Sequence, residues 1–103
     1  MVIKITDHIT HCHTNNEGNT IFHIIKPLLD DNNNIEISFK GIDSLTSSFV
    51  NSAFIELLDY FSFSYIKSKL NFIDTNSTIN RIIKKRFEFE TKYRNTLEFK
   101  KAI

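Results

Sequence analysis

Three groups of side chains in this 103-residue chain have types and spacing that suit chemistry. His8, His11, Cys12 and His13 stand close together, with His23 further on, and offer the imidazole nitrogens and thiolate that zinc prefers. Their spacing matches no common zinc motif, because His11, Cys12 and His13 are adjacent and would point in alternating directions along an extended segment. A nucleophilic Cys12 paired with His8 or His23 lacks a supporting carboxylate or oxyanion arrangement. The simplest reading is a polar loop with an exposed thiol, and no metal, cofactor or catalytic residue is expected.

Ser44, Thr46, Ser47 and Ser48, followed by Asn51, form the second group. A hydroxyl at a helix start caps it by accepting a hydrogen bond from a free N–H of the first turn. Those N–H groups and the positive end of the helix dipole also suit an anion or a phosphoryl group, so the segment offers both a cap and a switch. Phosphorylation there would add roughly −1.5 to −2 charge, which a helix start tolerates and an acidic partner surface does not. The third group, Arg81, Lys84, Lys85 and Arg86, could meet nucleic-acid phosphates. Ile82, Ile83 and Phe87 between them belong to an apolar stripe, so the charges read more simply as the solvated side of an amphipathic helix.

The elements that must position these groups follow from the hydrophobic pattern. Ile35, Ile37 and Phe39 alternate with Glu36, Ser38 and Lys40, the period of a strand with one buried face, and Gly41 ends it. Past the turn, Phe49, Val50, Ala53, Phe54, Leu57, Leu58 and Phe61 recur at intervals of three and four, which predicts one helix. The switch of period sets the hydroxyl residues at the junction.

Residues 1–6 predict a first strand, with Val2 or Ile3 and Ile5 as its apolar positions. Thr14, with Glu17 three residues on, matches a capping box and opens a helix whose stripe is Ile21, Phe22, Ile25, Leu28 and Leu29. Pro27 lies inside that stripe and should kink the helix at a cost of about 3 kcal/mol unless packing compensates. The Asp and Asn run at 30–34 ends it. Residues 60–69 predict a further short helix and residues 70–73 a third strand. Asn76 reads as the cap of the last helix, with the stripe Ile79, Ile82, Ile83, Phe87, Tyr93 and Leu97. This order predicts an α/β fold: a single small domain with a short mixed sheet and helices packed on it, joined by right-handed crossovers. The domain is expected over 1–90, with 91–103 a C-terminal helical extension or tail.

A hydrophobic content of 41% with ten phenylalanines can fill one core, and the length suits one domain. No apolar run approaches the roughly 18 residues needed to cross a bilayer, and the N-terminus lacks a signal peptide's pattern, so a cytoplasmic protein without a membrane partner is expected. One cysteine excludes an internal disulfide. No glycine-rich loop cradles phosphate. From residue 81 onward eight basic residues face three acidic ones, a net of +5, while residues 1–80 hold five against nine, a net of −4. An acidic body with a basic last helix can steer a partner, including a second copy of the chain.

The central unit, Gly41-Ile-Asp-Ser-Leu-Thr-Ser-Ser-Phe-Val-Asn-Ser-Ala-Phe54, resembles the STAS-like domain of the DUF4325 family, which is related in plan to the STAS domains of anti-sigma factor antagonists. Glu17-Gly18 before the first helix and Lys69-Leu-Asn-Phe72 before the last are also similar to it. The resemblance covers roughly residues 1 to 90 and implies a STAS-like fold and a non-enzymatic regulatory or adaptor role. STAS antagonists bind a kinase-type ATPase, and phosphorylation of a serine at a helix start in an Asp-Ser-Ser-Gly motif breaks that complex. The matching positions are Thr46, Ser47, Ser48 and Phe49, so the resemblance makes Ser48 the counterpart of the phosphorylated serine. It therefore implies an ATPase or kinase-like protein partner that meets residues 44–51. The alternative is a DNA-associated regulatory subunit using Arg81, Lys84, Lys85 and Arg86.

Overall fold

In the computed structural model, which describes residues 1–102 with side chains through residue 96, strand β2 (Ile35–Ser38) runs through the middle of a three-stranded sheet. It is flanked by β1 (Val2–Lys4) and β3 (Leu70–Ile73) in the order β1-β2-β3. Both pairings are parallel, with Ile3, Ile37 and Phe72 in register across the sheet. The mixed sheet expected from sequence is thus parallel throughout. Each connection is a helical crossover that returns the chain to the end of the sheet where the previous strand began. Helix α1 (Asn15–Asp30) makes the first crossover; α2 (Ser47–Ala53), a 3-10 segment (Ile55–Asp59) and α3 (Phe63–Lys69) make the second; α4 (Ser77–Ala102) follows β3.

Two right-handed crossovers that advance in the same direction lay their helices on the same face of a sheet. Burial agrees. Ile35, Ile37 and Leu70 are buried on one face, whereas Val2, Lys4, Glu36 and Asn71 on the other are exposed; Ser38 on that second face is buried, its hydroxyl donating to Asp74 Oδ2 at 2.6 Å. Phe39, Phe49 and Phe54 fill the space under the helices with edge-on rings, and Phe72 completes the group 5.0 Å from Phe54. Such aromatic contacts add to the burial of large apolar surfaces.

Local signals set most of the element boundaries. The Thr14 hydroxyl accepts from the Glu17 N–H at 3.2 Å while Glu17 Oε1 accepts from the Thr14 N–H at 3.0 Å, closing the expected capping box. Pro27 does not end α1, which runs on to Asp30. The ring lies on the exposed side, where water can reach the His23 carbonyl that loses its bond. Ser62 caps α3 through the Tyr65 N–H. The Asn76 side chain caps α4 by accepting from the Ile79 N–H at 2.8 Å, and it donates to the Asp43 carbonyl at 2.9 Å.

Strand β2 ends at Ser38, short of Gly41, and α3 starts at Phe63 and not at Tyr60; two further elements differ more from expectation. Strand β1 is shorter than residues 1–6, because Ile5 turns inward within a 3-10 turn (Ile5–Asp7) and is fully buried there. Helix α2 stops at Ala53 instead of continuing to Phe61. Ile55 lies off the stripe that Phe49, Val50, Ala53, Phe54 and Leu57 would form, so a continuous α-helix would turn it away from the core. The change to 3-10 winding at Phe54 buries Ile55 together with Leu57. Leu97, expected on the α4 stripe, and the charges of Glu98, Lys100 and Lys101 lie outside the described side chains.

Candidate functional site

The carboxyl ends of β1 and β2 feed residues 5–14 and 39–46, and these two segments bring α1 and α2 to start side by side. The Thr46 N–H donates to the Cys12 carbonyl at 3.1 Å, and the Thr46 hydroxyl donates to the His13 carbonyl at 2.7 Å. That hydroxyl also accepts from the Phe49 N–H at 3.2 Å, so Thr46 is the cap of α2. One residue therefore holds the histidine and cysteine segment against the hydroxyl segment. Two groups that are separate in sequence are a single surface in the fold.

Close packing beneath this surface keeps it in place. A Cβ on Gly18 would come within 2.7 Å of the Phe49 carbonyl and of Ser52 Cβ, so only glycine lets α1 approach α2 this closely. Ser52, nearly buried, donates to Asn15 Oδ1 at 3.0 Å across the same contact. Gly18 and Ser52 fall within the stretches that carry the family resemblance, but nothing in the sequence pairs them with each other or with Asn15; their role comes from a contact between distant segments.

Ser47 and Ser48 occupy the first turn of α2 and are exposed. Neither hydroxyl has a hydrogen-bond partner among the described residues, and the same holds for exposed Ser44 just ahead of the cap. Of the residues expected at this site, Ser44, Thr46, Ser47 and Ser48 come together at the strand ends. Asn51 does not join them. Its Oδ1 accepts from Arg86 Nε at 2.7 Å and ties α2 to α4.

The nearby histidines and cysteine depart from expectation in one respect. Cys12 has no exposed surface, in contrast to the exposed thiol expected of a polar loop. Its backbone lies between two helix starts, and the side chain of this otherwise polar segment turns into the core. Burial, helped by the negative charge of Glu17, pushes the thiol pKa up to about 12, so it stays protonated and unreactive near neutrality. His11 and His13, on either side of it, stack with centroids 5.4 Å apart and rings 5° from parallel. His23 lies along α1 with Nδ1 2.8 Å from the Asn19 carbonyl. Among the described residues, no three His, Cys, Asp or Glu side chains are grouped so as to hold a metal ion. Glu17 accepts from the His13 and Thr14 N–H groups and from the Thr14 hydroxyl, all at 3.0 Å. These bonds, chiefly the one from His13, hold its carboxyl below the usual carboxylate range.

The basic helix is less free than its sequence suggests. Arg81, Lys84 and Lys85 are exposed, but Arg86 is half-buried between Asn51 and Glu90, whose carboxylate lies 3.6 Å from its guanidinium. Arg94 bridges Asp59 at 2.9 Å and Glu90 at 3.2 Å, fastening α4 to the 3-10 segment. Among the described residues no helix is long and apolar enough to cross a membrane.

A small parallel sheet covered by helices on one face, with a hydroxyl-bearing helix start above the strand ends, defines a STAS-like α/β domain. The family described as "STAS-like domain of unknown function (DUF4325)" matches residues 17–80, from the carboxylate of the capping box to the first turn of α4, and the chain belongs to that family. No curated protein and no solved structure matches it.

Proposed function

We propose that the chain is a non-enzymatic regulatory module that binds a protein partner, an ATPase or a kinase-like regulator, through the start of α2. The observation that carries this reading is the division of work at that helix start. Thr46 does the capping, and Ser47 and Ser48 stand beside it exposed and without hydrogen-bond partners among the described residues. Free hydroxyls on a rigidly supported turn suit contact with a second protein, and they are open to a modifying enzyme.

Ser48 is the switch in this reading. Its phosphorylation adds roughly −1.5 to −2 charge to the contact surface, enough to repel an acidic partner while the core below stays folded. The resemblance of residues 46–49 to the STAS antagonist motif supports the assignment, although Phe49 stands in place of glycine and packs in the core.

Affinity capture from the native cells with wild type, Ser48→Ala and Ser48→Asp as baits, with intact mass taken on each recovered bait, tests it. The expected result is one ATPase or kinase-like partner held by wild type and Ser48→Ala and released by Ser48→Asp. Equal recovery of the same proteins by all three, with every bait at unmodified mass, would remove the switch.

A further inference from the structure

Strand β3 is an outer strand, bonded to β2 on one side only. Asn71 and Ile73 turn their backbone groups toward β2, as the bond from the Phe39 N–H to the Ile73 carbonyl at 3.1 Å shows. Leu70 and Phe72 alternate with them and turn theirs outward. The Leu70 N–H is taken by the Ile66 carbonyl at the end of α3. The Leu70 carbonyl and both backbone groups of Phe72 have no partner among the described residues.

A groove of about 590 Å³ lies along this edge between α3 and α4. Ile66, Leu70, Ile83 and Phe87 form its apolar floor, and Phe63 stacks on Phe87 with centroids 5.3 Å apart. An exposed lysine stands on each wall, Lys67 on α3 and Lys84 on α4. Lys84 reaches Glu88 only at 4.0 Å with both side chains largely in water, a pairing that water and salt weaken.

We propose that this edge and groove dock an extended acidic segment of a partner protein, which joins β3 as a fourth strand. Pairing satisfies the outward groups of Leu70 and Phe72. The period of two then puts alternate side chains of the added strand under α3 and α4, where the apolar floor receives them. Carboxylates on that same face, two residues before or after those side chains, meet Lys67 and Lys84 at the rim. Residues 1–80 carry a net charge of −4, so an acidic segment is held only where cations such as Lys67 and Lys84 stand together. A second copy fits less well, because pairing β3 with β3 brings the lysines of both copies toward one another, and lysines beside an edge strand oppose self-pairing. The surface lies at the opposite sheet edge from β1 and does not include Ser47 or Ser48, so it can be filled while the start of α2 is free.

A displayed library of random octapeptides, sorted against the full chain, tests the proposal. Enriched peptides are synthesised, their affinities measured by fluorescence anisotropy, and their sites mapped by amide chemical shifts. The expected peptides carry apolar residues two apart with an acidic residue two positions before or after them, and they shift the Leu70 and Phe72 amides. They lose about tenfold or more in affinity for the Lys67→Glu/Lys84→Glu double variant, since charge complementarity at the rim is removed. N-methylation of alternate peptide amides, which leaves every side chain in place, is expected to abolish binding. Both lysines are exposed, and an unchanged amide spectrum away from the groove verifies that the double variant folds. No enrichment, enriched peptides without acidic residues, equal affinity for the double variant, or shifts confined to other surfaces would overturn the proposal. Concentration-dependent self-association that protects the Leu70–Ile73 amides would overturn it in favour of a second copy.

Discussion

Helices α1 and α2 begin side by side with parallel wording, Thr14-Asn-Asn-Glu17 and Thr46-Ser-Ser-Phe49, and use it differently. In both, the threonine hydroxyl accepts from the N–H three residues on. In α1 the third residue is Glu17, whose carboxylate folds back onto the His13 and Thr14 N–H groups and closes the box. In α2 it is Phe49, whose ring goes into the core and leaves the polar side of the turn untouched. Asn15 is also occupied, by Ser52. The first helix start thus leaves only the Asn16 side chain exposed without a hydrogen bond among the described residues, and the second keeps two exposed serines in that state. Availability, more than residue type, is what favours α2 as the proposed contact surface.

Changes at the contact between the two helices have the largest expected effect on stability. Gly18→Ala would ordinarily help a helix by up to about 1 kcal/mol, yet here the new Cβ meets the Phe49 carbonyl and Ser52 Cβ at 2.7 Å. Overpacking should win, with a net loss of about 2 kcal/mol in urea unfolding. Thr14→Ala and Thr46→Ala each remove a cap and should each cost about 1 kcal/mol. Thr46→Ala should be the more damaging of the two: each hydroxyl also donates a bond, Thr14 to Glu17 and Thr46 to the His13 carbonyl, but Thr46 is half-buried and joins two segments whereas Thr14 is exposed and bonds within its own turn. The link between α2 and α4 comes next: a double-mutant cycle on Asn51→Ala and Arg86→Ala should give a coupling of about 0.5–1 kcal/mol.

The smallest effect concerns pH. The lowered pKa of Glu17 means the folded state favours the carboxylate. Its contribution is fully present above the ordinary carboxylate range and is lost as pH falls through the lowered value. Wild type should therefore exceed Glu17→Gln in stability at neutral pH and converge with it in strong acid. Unfolding curves across that range check the sign. A difference that grows in acid would contradict the capping role.

What could be read from sequence was local. The alternation of Ile35, Ile37 and Phe39, the Thr14 and Glu17 box and the Asn76 cap each depend on residues within one element, and each appears in the structure. The end of α2 was not legible, because its stripe runs on past Phe54 and only the burial of Ile55 shows why the winding changes. Neither was the burial of Cys12, whose neighbours in sequence are polar and whose neighbours in space are the core. The bonds from Ser52 to Asn15 and from Arg86 to Asn51 join residues far apart in the chain, and no spacing rule reaches that far. At the candidate site, the sequence marked the hydroxyls but not which of them caps. That choice was decided by the backbone path of residues 12–14 past Thr46.

Thr46 carries the structural role at the start of α2, and in the proposed function Ser47 and Ser48 are left to a partner. The most direct measurement is equilibrium unfolding of the Ser47→Ala/Ser48→Ala double variant beside Thr46→Ala, combined with a titration of the double variant against the partner captured by wild type. The double variant should unfold within about 0.5 kcal/mol of wild type, as surface changes away from caps do, and bind its partner measurably more weakly. A loss of stability as large as that of Thr46→Ala, with partner affinity unchanged, would make the serines part of the cap and contradict the account.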